Sequence, residues 1–143
     1  MESKPNEHNQ AGKNQLVGNI GLYYACYELS KRGWNAMPTS RNAIGIDIVI
    51  YDKTGSEAHT IQVKTLSKRS PVPLGGKLTN LIAEYMFIVV DAFGAPILYI
   101  LGTEEVRRRV HEGIKGGKKS YWLKPKEYEG FKDKWDKIRS KTF

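Results

Sequence analysis

The chain has 143 residues, 40% hydrophobic and 27% charged, with 23 Lys and Arg against 15 Asp and Glu for a formal net charge of +8. That length holds one domain with a real core and is short for two. The charge calls for a polyanionic partner, nucleic acid first and an anionic membrane second, although a plain basic soluble protein has the same composition. A single cysteine, Cys26, excludes an intramolecular disulfide and fits a reducing cytoplasm. No apolar run is long enough to span a membrane, and Met1 to Gln10 lack a signal-peptide core.

Residues 1–13 are polar and are expected to form a disordered N-terminal arm, leaving 14–143 as the folded domain. Asn14 is placed to cap a helix that runs to about Arg32 and stops at Gly33. Leu22, Ala25, Cys26 and Leu29 form one apolar stripe on it, and Leu16, Ile20, Tyr23 and Tyr27 form a second. A helix apolar over so much of its surface is expected to be sandwiched, with Gly18, Gly21 and Ala25 allowing close approach to a sheet. Trp34 to Met37 reads as a short strand. Pro38 to Asn42 then reads as a loop, with strands over about 45–52 and 58–66 joined by the turn Asp52-Lys53-Thr54-Gly55.

Residues 66–79, with prolines at 71 and 73 and glycines at 75 and 76, read as one long loop of the kind that is functional or disordered. Tyr85 to Asp91 and Ile97 to Leu101 are two more apolar strands around Phe93-Gly94-Ala95-Pro96. Thr103 caps a predicted helix whose face is Val106, Val110 and Ile114 and which Gly116-Gly117 ends. Tyr121-Trp122-Leu123 reads as a short strand. A final helix is predicted to put Tyr128, Phe131, Trp135 and Ile138 on one side.

Two of these strands carry polar residues that a buried strand disfavours. Asp47 interrupts Ile46, Ile48 and Ile50, and Gln62 and Lys64 alternate with Ile61 and Val63. A lone buried charge is costly unless it is paired or bound to a metal. A hairpin that brings Asp47 beside Gln62 and Lys64 gathers a carboxylate, an amide oxygen and an ammonium, which suits a cation with a charge stabiliser beside it. The bland alternatives are a strand-end Asp47 capping local amides and a Gln62–Lys64 pair on an exposed strand face.

Gly45-Ile46-Asp47, an apolar run, a turn and Ile61-Gln62-Val63-Lys64 resemble the core of the PD-(D/E)XK nuclease superfamily. The Gln form is similar to Mrr-like restriction endonucleases and some intron homing endonucleases. Gly18 to Gly21 with Ala25, Leu29, Gly33 and Trp34 resembles the first helix of Holliday-junction-resolvase-like members. The likeness covers about residues 14–102 as a pattern of elements. It implies an α/β (α+β), restriction-endonuclease-like single domain: a central mixed sheet of about five strands flanked by helices, with the site at one edge. It implies a DNA endonuclease that uses Mg²⁺, with Mn²⁺ as a substitute. Asp47, Gln62 and the Val63 backbone carbonyl would hold the metal, and Lys64 would orient the attacking water or stabilise the charged transition state. The family's resolvase-like members carry a helix glutamate where this chain has Leu22, and Gln62 stands for the commoner glutamate. The alternative is therefore a nuclease-fold module that binds nucleic acid with weak catalysis or none.

Double-stranded DNA is the expected partner, no membrane is expected, and cutting both strands at this size calls for a homodimer. Ser40, Arg41 and Asn42 before the Asp47 strand, and Lys68, Arg69 and Lys77 in the long loop after Lys64, are candidate phosphate contacts. Gln15 and Asn19 offer amide oxygens one turn apart, with helix-start polarity as the simpler reading. Glu57, Glu84 and Asp91 are acids whose distance from the site the sequence does not fix. Arg107-Arg108-Arg109 with Lys115, Lys118 and Lys119 form a second basic cluster, for which a solvated helix face is an equal reading. Trp122 and Trp135 read as core residues before base-stacking ones. Gly116 to Ser120 lacks P-loop spacing, and His8, His59 and His111 lack metal-ligand spacing.

Overall fold

Short extended stretches separated by turn residues fold into a central sheet of five strands: β1 (Asn35–Pro38), β2 (Ile48–Tyr51), β3 (Ala58–Thr65), β5 (Tyr85–Val90) and β6 (Ile97–Gly102), adjacent in that order. The computed structural model describes residues 7–40 and 44–138, with residues 7–11 as backbone only. β1, β2 and β3 pair antiparallel, β3 and β5 parallel, and β5 and β6 antiparallel. The sheet is mixed and the domain α/β, as expected. Tyr-Met-Phe-Ile-Val-Val in β5 is buried almost throughout because both faces of the sheet are covered.

One face carries Ile48, Ile50, Ile61, Phe87 and Val89 and packs against Ala25 and Leu29 of α1 (Glu7–Lys31). The helix approaches β3 so closely at Gly21 that an added Cβ would lie 1.8 Å from Thr65 Oγ1. Two helix expectations are corrected. α1 starts at Glu7, so Asn14 lies within it and residues 7–13 of the expected arm are helical, while residues 1–6 lie outside the described residues. The helix is also not sandwiched: Leu16, Tyr23 and Tyr27 are 60%, 63% and 60% exposed, because the sheet covers only the Ala25–Leu29 side.

The other face carries Met86, Ile88, Val90 and Leu101 and packs against Val72, Leu74, Leu123, Val106 and Tyr128. Most of this cover is a second sheet that the sequence reading missed, with strand order β4 (Val72–Gly75), β8 (Lys118–Leu123), β7 (His111–Lys115). The expected long loop at 66–79 therefore contains a strand, anchored by buried Val72 and Leu74. The expected helix over 103–114 is only α2 (Thr103–Arg109), because Val110 is extended at φ −65° and ψ 146°. Gly116 and Gly117, at φ +59° and +76°, form the two-residue turn of the β7–β8 hairpin, which demands left-handed backbone at both positions.

The tail is also not one helix. α3 (Pro125–Tyr128) is followed by 3₁₀ turns at Glu129–Phe131 and Trp135–Lys137. Tyr128 and Phe131 pack on the second face, while Trp135 and Ile138 pack on the first. The chain passes the edge of β6 between them, where Lys132 bridges Tyr99 and the Asp133 N–H donates to the Leu98 carbonyl at 3.0 Å. An edge strand that would otherwise present unpaired amides is thereby covered.

Candidate active site

The register of the β2–β3 hairpin begins at its turn. The Asp52 carboxylate accepts from the Ser56 N–H at 2.9 Å, the Ser56 hydroxyl at 3.1 Å and the Thr54 hydroxyl at 3.1 Å. These bonds close the turn and set Ile48 opposite Ile61. Asp47 then stands immediately before β2. Its N–H donates to the Ile61 carbonyl at 2.8 Å, and its carboxylate Oδ2 accepts from the Val63 N–H at 2.7 Å. A carboxylate thus takes the place of the next β2 carbonyl, in the plane of the sheet where the ladder ends. The Ile46 carbonyl turns instead to the Thr39 hydroxyl at 2.6 Å, and the Thr39 N–H donates to the Asp47 carbonyl at 2.9 Å. Asp47 Oδ1 accepts no protein hydrogen bond among the described residues.

Gly45 explains the glycine of Gly-Ile-Asp. Its φ is +75°, and a Cβ there would lie 2.3 Å from the Asn80 carbonyl oxygen and 3.0 Å from Ile82 Cγ1. Only a residue without a side chain lets the strand entry lie against residues 80–82.

Along β3 the side chains alternate. Ile61 and Val63 face the α1 side, and Thr65 meets Gly21 there. Gln62 and Lys64 face the other way, beside Met86 and Ile88 in the parallel register with β5. Both are partly buried. Val63, whose amide holds Asp47, is the residue between them. A strand residue's N–H and C=O share one side, so the Val63 carbonyl also points toward the end of β2. Burial lowers the Lys64 pKa from the ordinary lysine value, and the Asp47 charge opposes that shift. No carboxylate comes within 4 Å of the Lys64 amine among the described residues. The three residues lie at β2 and β3, inside the sheet instead of at an edge strand. The Asp47–Val63 bond is also the amide-capping contact that the bland reading foresaw.

The surrounding candidates divide. Ser40 is exposed next to Thr39, and Arg41 and Asn42 lie outside the described residues. Lys68 and Lys77 are exposed, whereas the Arg69 guanidinium is paired with Glu129. Leu22 packs against the first core face, so no helix acid stands there. Glu57 and Glu84 bind His59, at 2.7 Å to Nε2 and 2.6 Å to Nδ1, near the start of β3. Asp91 is used in the β5–β6 turn, accepting from the Ala95 N–H at 3.1 Å. Among the described residues no three His, Cys, Asp or Glu side chains cluster as a metal site. Trp122 stacks on His111 with ring centroids 6.3 Å apart, and Trp135 lies 3.8 Å beneath the Arg32 guanidinium. Arg107 is held by Glu104 and the Leu81 carbonyl.

Sequence reasoning missed the carboxylate–imidazole–carboxylate bridge at His59, which joins the β2–β3 hairpin to β5. Glu57 and His59, two residues apart at the entry to β3, were the available signal, but Glu84 arrives from 25 residues downstream. It also missed Thr39, whose two bonds close the loop in front of Asp47.

No family model matches the chain, and no curated protein does. Among solved structures it is similar to the bacterial homing endonuclease I-Ssp6803I, at 18% identity and a TM-score of 0.57 over 87% of this chain and 89% of that chain. At that identity the likeness is one of fold: a single mixed α/β domain, nuclease-like in architecture.

Proposed function

We propose that this chain is a Mg²⁺-dependent DNA endonuclease of the PD-(D/E)XK type in its QxK form, with Mn²⁺ able to substitute. The observation that supports this most is the 2.7 Å bond between the Asp47 carboxylate and the amide of Val63, the residue between Gln62 and Lys64. Together with the alternation along β3, it supports reading Asp47, Gln62 and Lys64 as one site at the end of the β2–β3 ladder.

The donor set fits a small hard cation. Asp47 Oδ1, the Gln62 side-chain oxygen and the Val63 carbonyl are all oxygens, with one negative charge among them. Mg²⁺ is commonly held by one or two carboxylates with waters and substrate phosphate completing the shell. When bound, it would neutralise the phosphate and acidify a water. The protein's own part is positional. Asp47 is oriented by the Val63 amide, and Thr39 holds the loop in front of it. Hydrolysis forms a bond from water oxygen to phosphorus, breaks one P–O ester bond, and moves a proton from the water to the leaving oxygen by way of base and solvent. Lys64 orients that water or stabilises the charged transition state, and burial lowers its pKa from the ordinary lysine value. Ser40, Arg41, Asn42, Lys68 and Lys77 are proposed phosphate contacts. Arg69 is a weaker one, since a phosphate would compete with Glu129. A homodimer is proposed because one such site cuts one strand. The described residues contain no helix long and apolar enough to cross a membrane, and cytoplasmic placement is part of this proposal.

The test is nicking of supercoiled plasmid in Mg²⁺ and in Mn²⁺. Wild type should nick, and Asp47→Ala and Lys64→Ala should each lose at least about a hundredfold in rate. Equal activity in all three proteins would mean a contaminant and would remove the assignment.

The packing of Leu22 favours a second reading. With apolar Leu22 where resolvase-like nucleases have a glutamate, no second carboxylate joins Asp47 in a metal cluster among the described residues, as in a module that binds DNA without cutting it. Salt-sensitive DNA binding with no nicking in either metal would select it.

A further inference from the structure

We propose that the β7–β8 hairpin is a DNA-docking ribbon that enters the major groove of duplex DNA; this rests on the nuclease-type reading for its choice of partner. The ribbon is rooted in the body and bare beyond it. Leu123 is fully buried at the base of β8, where Val72 of β4 pairs with it. From Ile114 to Ser120 every residue is exposed, so neither face of the tip packs on the protein.

The side chains on that tip are the second observation. Lys115 stands directly opposite Lys118, and Ile114 opposite Lys119. Like charges directly across a ladder are destabilising, so the Lys115–Lys118 pair costs stability in the free protein. Lys119 has Glu112 at 3.5 Å, while Lys115 and Lys118 have no carboxylate within 4 Å among the described residues. Lysines on an edge strand can also serve only to block edge-to-edge association. Ile114 argues against that simpler role, because it is 74% exposed and a protected edge would not carry bare isoleucine beside its charges. Two unpaired ammonium groups with an apolar side chain beside them complement phosphates flanking a groove. The major groove, about 12 Å wide, admits a two-stranded ribbon.

The ribbon is also continuous with the Asp47 region. A Cβ on Gly76 would lie 3.2 Å from the Lys119 carbonyl, so the segment that carries Lys77 runs beside β8. Farther along the same segment, Asn80 and Ile82 press on Gly45, two residues before Asp47. A duplex gripped by Lys77, Lys115 and Lys118 is therefore carried toward the end of the β2–β3 ladder.

The experiment compares the full chain with Lys115→Ser/Lys118→Ser and, separately, Ile114→Ser, after thermal melting shows each variant folded. Binding to a labelled DNA duplex is measured by anisotropy across a salt series. Losing two phosphate contacts should reduce the slope of log K against log salt by about 1.8. From about 50 to about 200 mM salt, wild type should then lose about twelvefold more affinity than the double variant. Ile114→Ser should weaken binding without changing the slope. An unchanged slope in the double variant overturns the ribbon, as does ribbon-dependent binding to anionic phosphatidylserine vesicles without any effect on DNA. The two readings fail separately. Metal-dependent nicking that needs Asp47, together with an unaltered slope in the double variant, removes the ribbon alone. A ribbon-dependent slope without nicking in Mg²⁺ or Mn²⁺ removes the endonuclease and keeps the ribbon.

Discussion

Gly45→Ala tests how the chain holds Asp47. The new methyl would start 2.3 Å from the Asn80 carbonyl oxygen, against 3.4–4 Å for an ordinary contact, so residues 44–47 or 80–82 must yield by about 1 Å. The obstacle is backbone and cannot rotate away. A shift of that size stretches the 2.7 Å Asp47–Val63 bond out of hydrogen-bond range. Holding alanine at φ +75° costs about 1–2 kcal/mol, and a lost hydrogen bond to a carboxylate about 1.5–3 kcal/mol. Together the change should destabilise the fold by about 2.5–5 kcal/mol. An unfolding entropy of about 0.3 kcal/mol/K for a chain of 143 residues turns that into a Tm drop of about 8–17 °C. Displacing Asp47 by about 1 Å should also slow nicking by about a hundredfold, measured below the variant's melting range. Gly18→Ala is the control. It lies in α1 with nothing within 4 Å, so helix propensity should raise stability by about 1 kcal/mol. If Gly45→Ala melts within about 2 °C of wild type and nicks at the wild-type rate, the strand entry does not lie against residues 80–82 and this account of the glycine is refuted.

Two further predictions concern charge. Lys64→Met should abolish nicking while raising thermal stability at neutral pH, because it removes a cation that burial disfavours and no carboxylate within 4 Å compensates. The folded pKa is lowered, so the penalty is full below it and fades as pH rises from it toward the ordinary lysine value. The stability gap between Lys64→Met and wild type should therefore narrow with rising pH in melts over that range; a constant gap refutes it. At His59, burial by itself lowers the pKa, but hydrogen bonds to Glu84 and Glu57 outweigh it and raise the pKa above the usual histidine value. A raised folded pKa gives stability that is fully present below the unfolded value and is lost as pH rises through the folded one. Wild type should lose Tm relative to His59→Gln across that window, and the imidazole should titrate above about 6.5 by NMR. A titration below that value means that the two carboxylates do not grip the ring.

β2, β5 and β6 were legible as apolar runs bounded by turn residues, β3 as Ile61 and Val63 alternating with polar residues, and β1 as the short stretch after Gly33, all of them local signals. The polar intrusions at Asp47, Gln62 and Lys64 were legible for the same reason, since a two-residue period fixes which side chains share a face. The second sheet was not. Ile114 fits a helical stripe with Val106 and Val110, but Val110 is extended and Gly116 and Gly117, both at positive φ, turn the chain back as a hairpin instead of ending a helix. The tail misled in the same way: Tyr128, Phe131, Trp135 and Ile138 repeat at helical spacing but serve opposite faces of the sheet.

What the sequence by itself determined, then, is where polar residues interrupt the strands and which of them share a face, because burial cost and side-chain alternation act over a few residues. Tertiary structure alone decided the rest. It turned Asp47 onto the Val63 amide, packed Leu22 against the sheet, brought Glu84 to His59, and left two lysines facing each other on a bare ribbon. Each of those outcomes depends on segments meeting from far apart in the chain, and no local pattern records such a meeting.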